Sequence, residues 1–396
     1  MNRQLIRALI FLALIASVRA DTFTNPVTNK AYTGYAKSID ANGSMRVQSL
    51  EAGEIELNTS EYRVDFNYKG RNPFVSVIPI DYHIAKDIET QAFEEAIVEE
   101  AAKGPLLILI EVDTPGGRID LTRRLCASIS ELRNAQTVAF IKGEKNLGAY
   151  SAGAAVSLAC DKIYMAPNTA IGAATAIVVV GNKVKTEKEV FGEEIGEKFG
   201  SAWRNYLAAL AQDNGRNGLL AKAMEDKDII VQAINRNGQI LYIEPQNRQP
   251  GDAMLEIFCK RGELLTLSPD KAVQCGIADG IVSSRSDILK ELGIADADFV
   301  DNMKISEARK ELDEVIERIE KVGDNLDYRF KALNAQSRNN TLTRKNLMKE
   351  YKKIIREVQY LIKLKDQYTD IDMEDDELQE FLNEIRAEYD SLKKVR

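Results

Sequence analysis

From residue 73 onward the chain alternates between two hydrophobic patterns. Residues 74–80 and 106–112 are strand-length runs, apolar but for Ser76 and Glu111, and residues 88–102 between them carry apolar positions at helical spacing. The same alternation predicts a helix over 121–132, a strand over 137–141, a helix over 151–159 and a strand over 162–166. Further on it predicts a helix over 199–224, a strand over 264–267 and a helix over 268–275 that starts with Ser268 as cap and Pro269 in its first turn. Strands alternating with helices require crossover connections, and those produce a mainly parallel sheet.

The two ends read differently. Residues 21–70 are polar and rich in turns, with short alternating stretches such as Arg46-Val47-Gln48 separated by Asn42-Gly43 and Ala52-Gly53, which predicts a small β module. Beyond Asp301 the chain is dominated by Lys and Glu. Ile305, Ala308, Leu312, Val315 and Ile319 form one apolar stripe, Leu347, Tyr351, Ile354, Val358 and Leu361 a second, and Leu378, Phe381, Ile385 and Leu392 a third. This coiled-coil-like spacing over 301–396 predicts helices that fold back on one another or associate between subunits. An α/β domain over 71–300 is expected between the two ends.

Residues 1–20 read as a signal peptide, with Arg3 and Arg7 ahead of an uncharged apolar run over 8–18 and small residues at Val18 and Ala20. An uncleaved anchor is the alternative, and either predicts export to a periplasmic or extracellular space. After Ala20 the longest apolar candidate, residues 173–180, has only the length of a strand. A formal net charge of −8 and the lack of a basic aromatic cluster argue against nucleic acid as a partner. Cys126, Cys160, Cys259 and Cys275 include no CxxC pair, and the single His83 cannot complete a zinc site with them. No metal or other cofactor is therefore expected. The cysteines read more readily as buried thiols than as disulfides, although export would permit pairing.

Two segments carry candidate chemistry. Asp113-Thr114-Pro115-Gly116-Gly117-Arg118 follows a predicted strand, at the end of a parallel sheet where ligands bind, and its glycines can present backbone N–H groups to an anion. One strand later, Gly148-Ala149-Tyr150-Ser151-Ala152-Gly153-Ala154 surrounds a serine with small residues at the head of a helix. Taken singly, the first is an ordinary turn and the second an ordinary N-cap.

Together with "LAALAQDNGRN" and "LLTLSPDKAVQCGIADGIV", these blocks follow in order the pattern of NfeD-like serine proteases, over roughly residues 73–292. That family resembles signal peptide peptidase A and the Clp protease proteolytic subunit. The resemblance implies an α/β fold of the Clp protease/crotonase type, a spiral of ββα units. It implies Ser151 as nucleophile, with backbone N–H groups of Gly116, alone or together with Gly117, and of Ala152 as oxyanion hole. It also implies a lysine base, but Ala208 stands at that position and no lysine occurs over 199–221. Lys198 and Lys222 flank the gap and His83 follows the first strand, so the general base is unassigned.

The resulting expectation is an ATP-independent serine endopeptidase acting on unfolded or hydrophobic peptide segments, membrane proteins included, as a homo-oligomer. The competing expectation is a catalytically degenerate protease fold that binds peptides or serves as a scaffold, with the C-terminal helices as partner surface. A crotonase-like enzyme acting on an acyl thioester would share the oxyanion geometry, but the signal segment and the serine at the helix head weigh against it.

Overall fold

The computed structural model describes residues 20–39, 44–68, 72–180, 183–294, 297–339, 342–371 and 375–394. The expected signal segment, apart from Ala20, lies outside them. The chain divides into two units, one made of residues 86–92 and 304–396 and the other of the remaining chain up to residue 303.

In the larger unit, strands β1 (Asp21–Thr24), β2 (Ala31–Ile39), β3 (Ser44–Ser49), β4 (Gly53–Asn58) and β5 (Arg63–Asp65) form an antiparallel sheet in the order β4-β3-β2-β1-β5. The Asn25 side chain accepts the N–H groups of Val27 and Thr28 at 3.0 and 2.9 Å, which closes the β1–β2 turn. Alternate residues Met45 and Val47 of β3 join Phe23 and Leu57 in a small core.

The next elements are β6 (Asn72–Ile80), α1 (Asp87–Ala102), β7 (Pro105–Val112), α2 (Ile119–Ser130), β8 (Thr137–Ile141), β9 (Gly148–Tyr150), α3 (Ala152–Ala159), β10 (Lys162–Met165) and β11 (Ala170–Gly172). A hairpin of β12 (Ile177–Val180) and β13 (Lys183–Thr186) leads into α4 (Glu187–Phe191), α5 (Glu193–Asp213) and α6 (Gly218–Glu225). An antiparallel meander of β14 (Val231–Arg236), β15 (Gln239–Ile243) and β16 (Ala253–Cys259) precedes β17 (Thr266–Leu267), α7 (Pro269–Gln274), β18 (Gly280–Ile281), α8 (Arg285–Glu291) and β19 (Asp298–Asp301).

The principal sheet has the order β18-β10-β8-β7-β6-β19, and every pairing in it is parallel, as the alternating pattern requires. Its central strand β7 is buried at every position, which is why it reads as an apolar run broken only by Glu111. A second, small sheet has the order β17-β11-β9, with Thr114 bridged to Ala149 at its edge. A theme recurs: a long strand in the main sheet, a short extended segment beside it, then a helix. It is played by β7, Thr114 and α2, and again by β8, β9 and α3.

The expected helix over 199–224 is in fact two. Gly215 turns the chain at φ +74°, and Asn217 caps the second helix by accepting the Leu219 N–H at 2.8 Å. The meander had no counterpart in the sequence reading, because β15 and β16 are largely exposed and only β14 buries side chains, at Val231, Ala233 and Ile234, without strict alternation. All four cysteines are buried free thiols. Burial pushes Cys126 up to about 12 and Cys275 up to about 11, so neither is a nucleophile at neutral pH.

In the second unit, α9 (Lys304–Arg338), α10 (Arg344–Gln367) and α11 (Asp375–Lys394) share one apolar core. Leu312, Val315 and Ile319 of the first stripe are buried in it, as are all five residues of the second. The third stripe is shifted: Leu382, Ile385 and Tyr389 are buried, and Phe381 is only partly so. Tyr351 is fully buried, meets Phe330 edge-on and donates its hydroxyl to Asn334 Oδ1 at 2.7 Å. The Asp370 carboxylate accepts the N–H groups of Asp87 and Ile88 at 2.5 and 2.8 Å, satisfying donors at the start of α1.

One buried charge in the main sheet makes stability depend on pH. Burial of Glu111 opposes its ionisation, but hydrogen bonds from Arg285 at 2.6 Å and an ion pair with Lys142 at 2.8 Å outweigh this and hold its carboxyl below the ordinary 4.5. Because the folded-state value is depressed, the contribution is complete above 4.5 and is lost as pH falls through the lower, folded value. Replacing Glu111 by Gln is expected to cost about 3 kcal/mol at neutral pH and to flatten the acid limb of stability against pH, as read by urea unfolding.

Candidate functional site

The site is assembled where the short strands meet the heads of α2 and α3. Asp113, at the end of β7, is buried, and its carboxylate accepts the N–H groups of Lys145, Asn146 and Gly148 at 2.6, 3.0 and 3.4 Å. These bonds fix the loop that enters β9. Thr114 N donates to Gly148 O and Tyr150 N donates to Thr114 O, while β9 pairs with β11 on its other side.

Ser151 follows β9 directly. Its N–H donates to Gly172 O at 3.0 Å, and its carbonyl accepts from Ala154 and Ala155 in the first turn of α3. It occupies the N-cap, but at φ +53° and ψ −112°, and its side chain makes no capping bond. A non-glycine residue in so sparsely populated a region costs about 1–3 kcal/mol. The ordinary reading of a serine at this place, a hydroxyl spent on the helix N-terminus, is therefore not what it does. The turn leaves the hydroxyl partly exposed, as in a strained strand-to-helix elbow.

The two glycines opposite have separate steric reasons. Gly116 is at φ +122°, and a Cβ there would lie 2.6 Å from Ser151 Cβ and 3.1 Å from its Oγ. A Cβ at Gly117 would lie 2.0 Å from the carbonyl oxygen of Ile84. That carbonyl accepts from Arg118 N, and Ile84 N donates to Gly116 O, so the loop is clamped on both sides. Gly116 N–H is already taken by Thr114 Oγ1 at 3.1 Å. Among the described residues, the N–H groups of Gly117 and Ala152 have no such acceptor.

A cavity of about 620 Å³ opens on these groups. It is lined by Gly117, Arg118, Ile119, Asp120, Thr122 and Arg123 at the head of α2, by Ser151 and Ala152, and by Thr175, Ala176, Ile177 and Trp203. The Trp203 indole donates to Ala174 O at 2.8 Å and stacks on Tyr206, with ring centroids 5.6 Å apart. Thr175 Oγ1 donates to Glu225 O at 2.7 Å, tying this wall to the end of α6. A hydrogen bond from Arg118 holds the Asp120 carboxyl below its ordinary value.

The structure thus brings Ser151, Ala152, Gly116 and Gly117 together and leaves the candidate bases elsewhere. His83 and Lys198 are exposed, Lys222 is half-buried, and none of them lines the cavity. Ala208 is buried on α5, a helix that packs against α3. Among the described residues, nothing forms a hydrogen bond with Ser151 Oγ. Sequence reasoning missed Asp113 and Thr114 as positioning groups, and Arg123 and Trp203 in the cavity wall. The one available hint was that Asp113 and Thr114 immediately precede the glycines. Replacing Gly116 by Ala is expected to push Ser151 out of place and to slow its reaction with a serine-directed fluorophosphonate about 100-fold, as followed by intact-protein mass spectrometry.

Residues 74–250 match the family described as NfeD1b, N-terminal domain. The membrane protein NfeD1b of Bacillus subtilis is 28% identical over 235 residues, which cover 59% of this chain and 44% of that protein. The membrane-bound protease PH1510 of Pyrococcus horikoshii is 31% identical over 122 residues, covering 31% of this chain and 26% of the protease. The chain therefore spans less than half the length of either relative. Among solved structures, a lysine-to-alanine mutant of the 1510-N membrane-bound stomatin-specific protease, in complex with a substrate peptide, matches with 20% identity and a TM-score of 0.43, over 59% of this chain and 92% of that one. The segment that holds Ser151, the two glycines and the cavity is the segment that matches the NfeD1b N-terminal domain.

Proposed function

We propose that this chain is a serine peptidase in which Ser151 Oγ attacks a peptide carbonyl and the N–H groups of Gly117 and Ala152 receive the oxyanion. The observation that carries this reading is the backbone of Ser151, held at φ +53° between strand and helix with its hydroxyl spared from capping. Strain of that kind persists where the surrounding structure over-determines it, and it presents a nucleophile to a cavity. Gly117 and Ala152 are the two unspent donors beside it, and Thr114 takes the Gly116 N–H out of competition. The repeated long strand, short strand and helix supports a Clp protease/crotonase-type spiral as the framework.

The substrates proposed are unfolded or hydrophobic peptide segments, cleaved without ATP. The apolar wall of Ile119, Ala176, Ile177 and Trp203 supports this, as does the protease named among the relatives. Export, homo-oligomeric assembly and action on membrane proteins belong to the same reading. Among the described residues no helix is long and apolar enough to cross a membrane.

A second reading, a peptide-binding or scaffold protein, is favoured by one observation: no described side chain is bonded to Ser151 Oγ to take its proton. Loss of the base alone costs a serine hydrolase several orders of magnitude in rate. Labelling by a fluorophosphonate separates the two. Stoichiometric modification located at Ser151 by mass spectrometry, and absent after Ser151→Ala, is the expected result; a folded protein with an accessible cavity that stays unlabelled counts against the peptidase and favours the scaffold. Ala208→Lys is expected to raise the labelling rate at least tenfold if α5 is where the base belongs, and an unchanged rate in a folded variant would remove Ala208 from the account.

A further inference from the structure

We propose that Arg123 binds a carboxylate of the peptide held in the cavity beside Ser151, either an acidic side chain or the chain's own C-terminus. This rests on the reading of the cavity as a peptide site and adds the chemistry of what it selects.

Three charged residues line the cavity: Arg118, Asp120 and Arg123. The first two satisfy each other through two parallel bonds, Nε to Oδ1 at 3.1 Å and a terminal nitrogen to Oδ2 at 2.6 Å. Arg123 is different. Its guanidinium lies 5.2 Å from the centroid of the Tyr206 ring, and no described carboxylate forms an ion pair with it. The chain is acidic, with 61 Asp and Glu against 53 Lys and Arg, yet among the described residues none of the acidic side chains is ion-paired with Arg123.

Stacking on an aromatic face positions a guanidinium without neutralising it, and leaves its N–H fork free for a planar bidentate acceptor. The ring beneath is itself fixed, because Tyr206 stacks on Trp203 and Trp203 is hydrogen-bonded to Ala174 O. Ile119 and Ala176 bring apolar surface to the same cavity, and Arg123 itself is exposed, so a carboxylate can reach it directly from solvent. The arrangement is a preformed half of an ion pair, on the same cavity wall as the nucleophile.

Trp203 is the chain's single tryptophan and lines the cavity, so its fluorescence reports occupancy without turnover. The experiment titrates the full chain carrying Ser151→Ala with three acetylated hexapeptides. One has an internal aspartate and an amidated end, the second has asparagine in its place, and the third is the asparagine peptide with a free C-terminal carboxylate. One carboxylate peptide is expected to bind about tenfold tighter than the neutral one, and which of them does so identifies the source. Arg123→Gln should erase the difference, and Arg123→Lys should keep part of it. Three equal affinities, no binding by any peptide, or a preference that survives Arg123→Gln would overturn the proposal. Fluorophosphonate labelling of the unsubstituted chain needs no carboxylate, so its failure bears on the peptidase reading and not on this one.

Discussion

Everything at the candidate site depends on the absence of one side chain. Ser151 can hold its left-handed backbone only because Gly116, itself at φ +122°, leaves room against the serine Cβ. The conformation cannot be kept by local preference, since it costs about 1–3 kcal/mol. It is kept by pairing on three sides: Thr114 against β9, Gly172 against the serine N–H, and the first turn of α3 against its carbonyl. The Asp113 carboxylate then anchors the loop that feeds β9, so the strain is borne by a buried hydrogen-bonded frame and not by the helix.

On the proposed peptidase reading, that frame prepares half of an acyl-transfer centre: Ser151 is positioned and the N–H groups of Gly117 and Ala152 are unspent, but the serine proton still needs an acceptor. At the place where the resemblance puts a lysine, α5 carries a buried alanine.

The four central strands of the main sheet, β6, β7, β8 and β10, were legible because they are largely buried and mostly apolar, with β8 delimited to the residue, whereas the short and largely exposed edge strands β18 and β19 had no counterpart in the sequence reading. The stripes of the C-terminal helices were legible for the analogous reason at a period of 3.6, except on α11, where Leu382 and not Phe381 turns inward. The break after α5 was in fact signalled by Asn214-Gly215 and Asn217-Gly218, turn formers that the helical spacing on either side led the sequence reading to pass over. At the site, Ser151 and the glycines could be singled out from their small neighbours. Thr114's capture of the Gly116 N–H could not, because it is a matter of a few tenths of an ångström in a turn. Arg123 was invisible for another reason: its meaning lies in Tyr206 and in the carboxylates that are not beside it, and neither is a feature of its own segment.

The β14–β16 meander has a further consequence. Its first residue, Val231, pairs with its last, Cys259, so the chain leaves the body of the unit and returns to it at a single place. Such an excursion is a parenthesis in the fold. It is nevertheless stitched to its neighbours: Asn217 donates to Tyr242 O, the Tyr242 hydroxyl donates to Gln274 O, and Glu256 pairs with Lys271. Length can therefore change at the outer turns of the meander at little cost, whereas a change at these three contacts pulls on the cap of α6 and on α7.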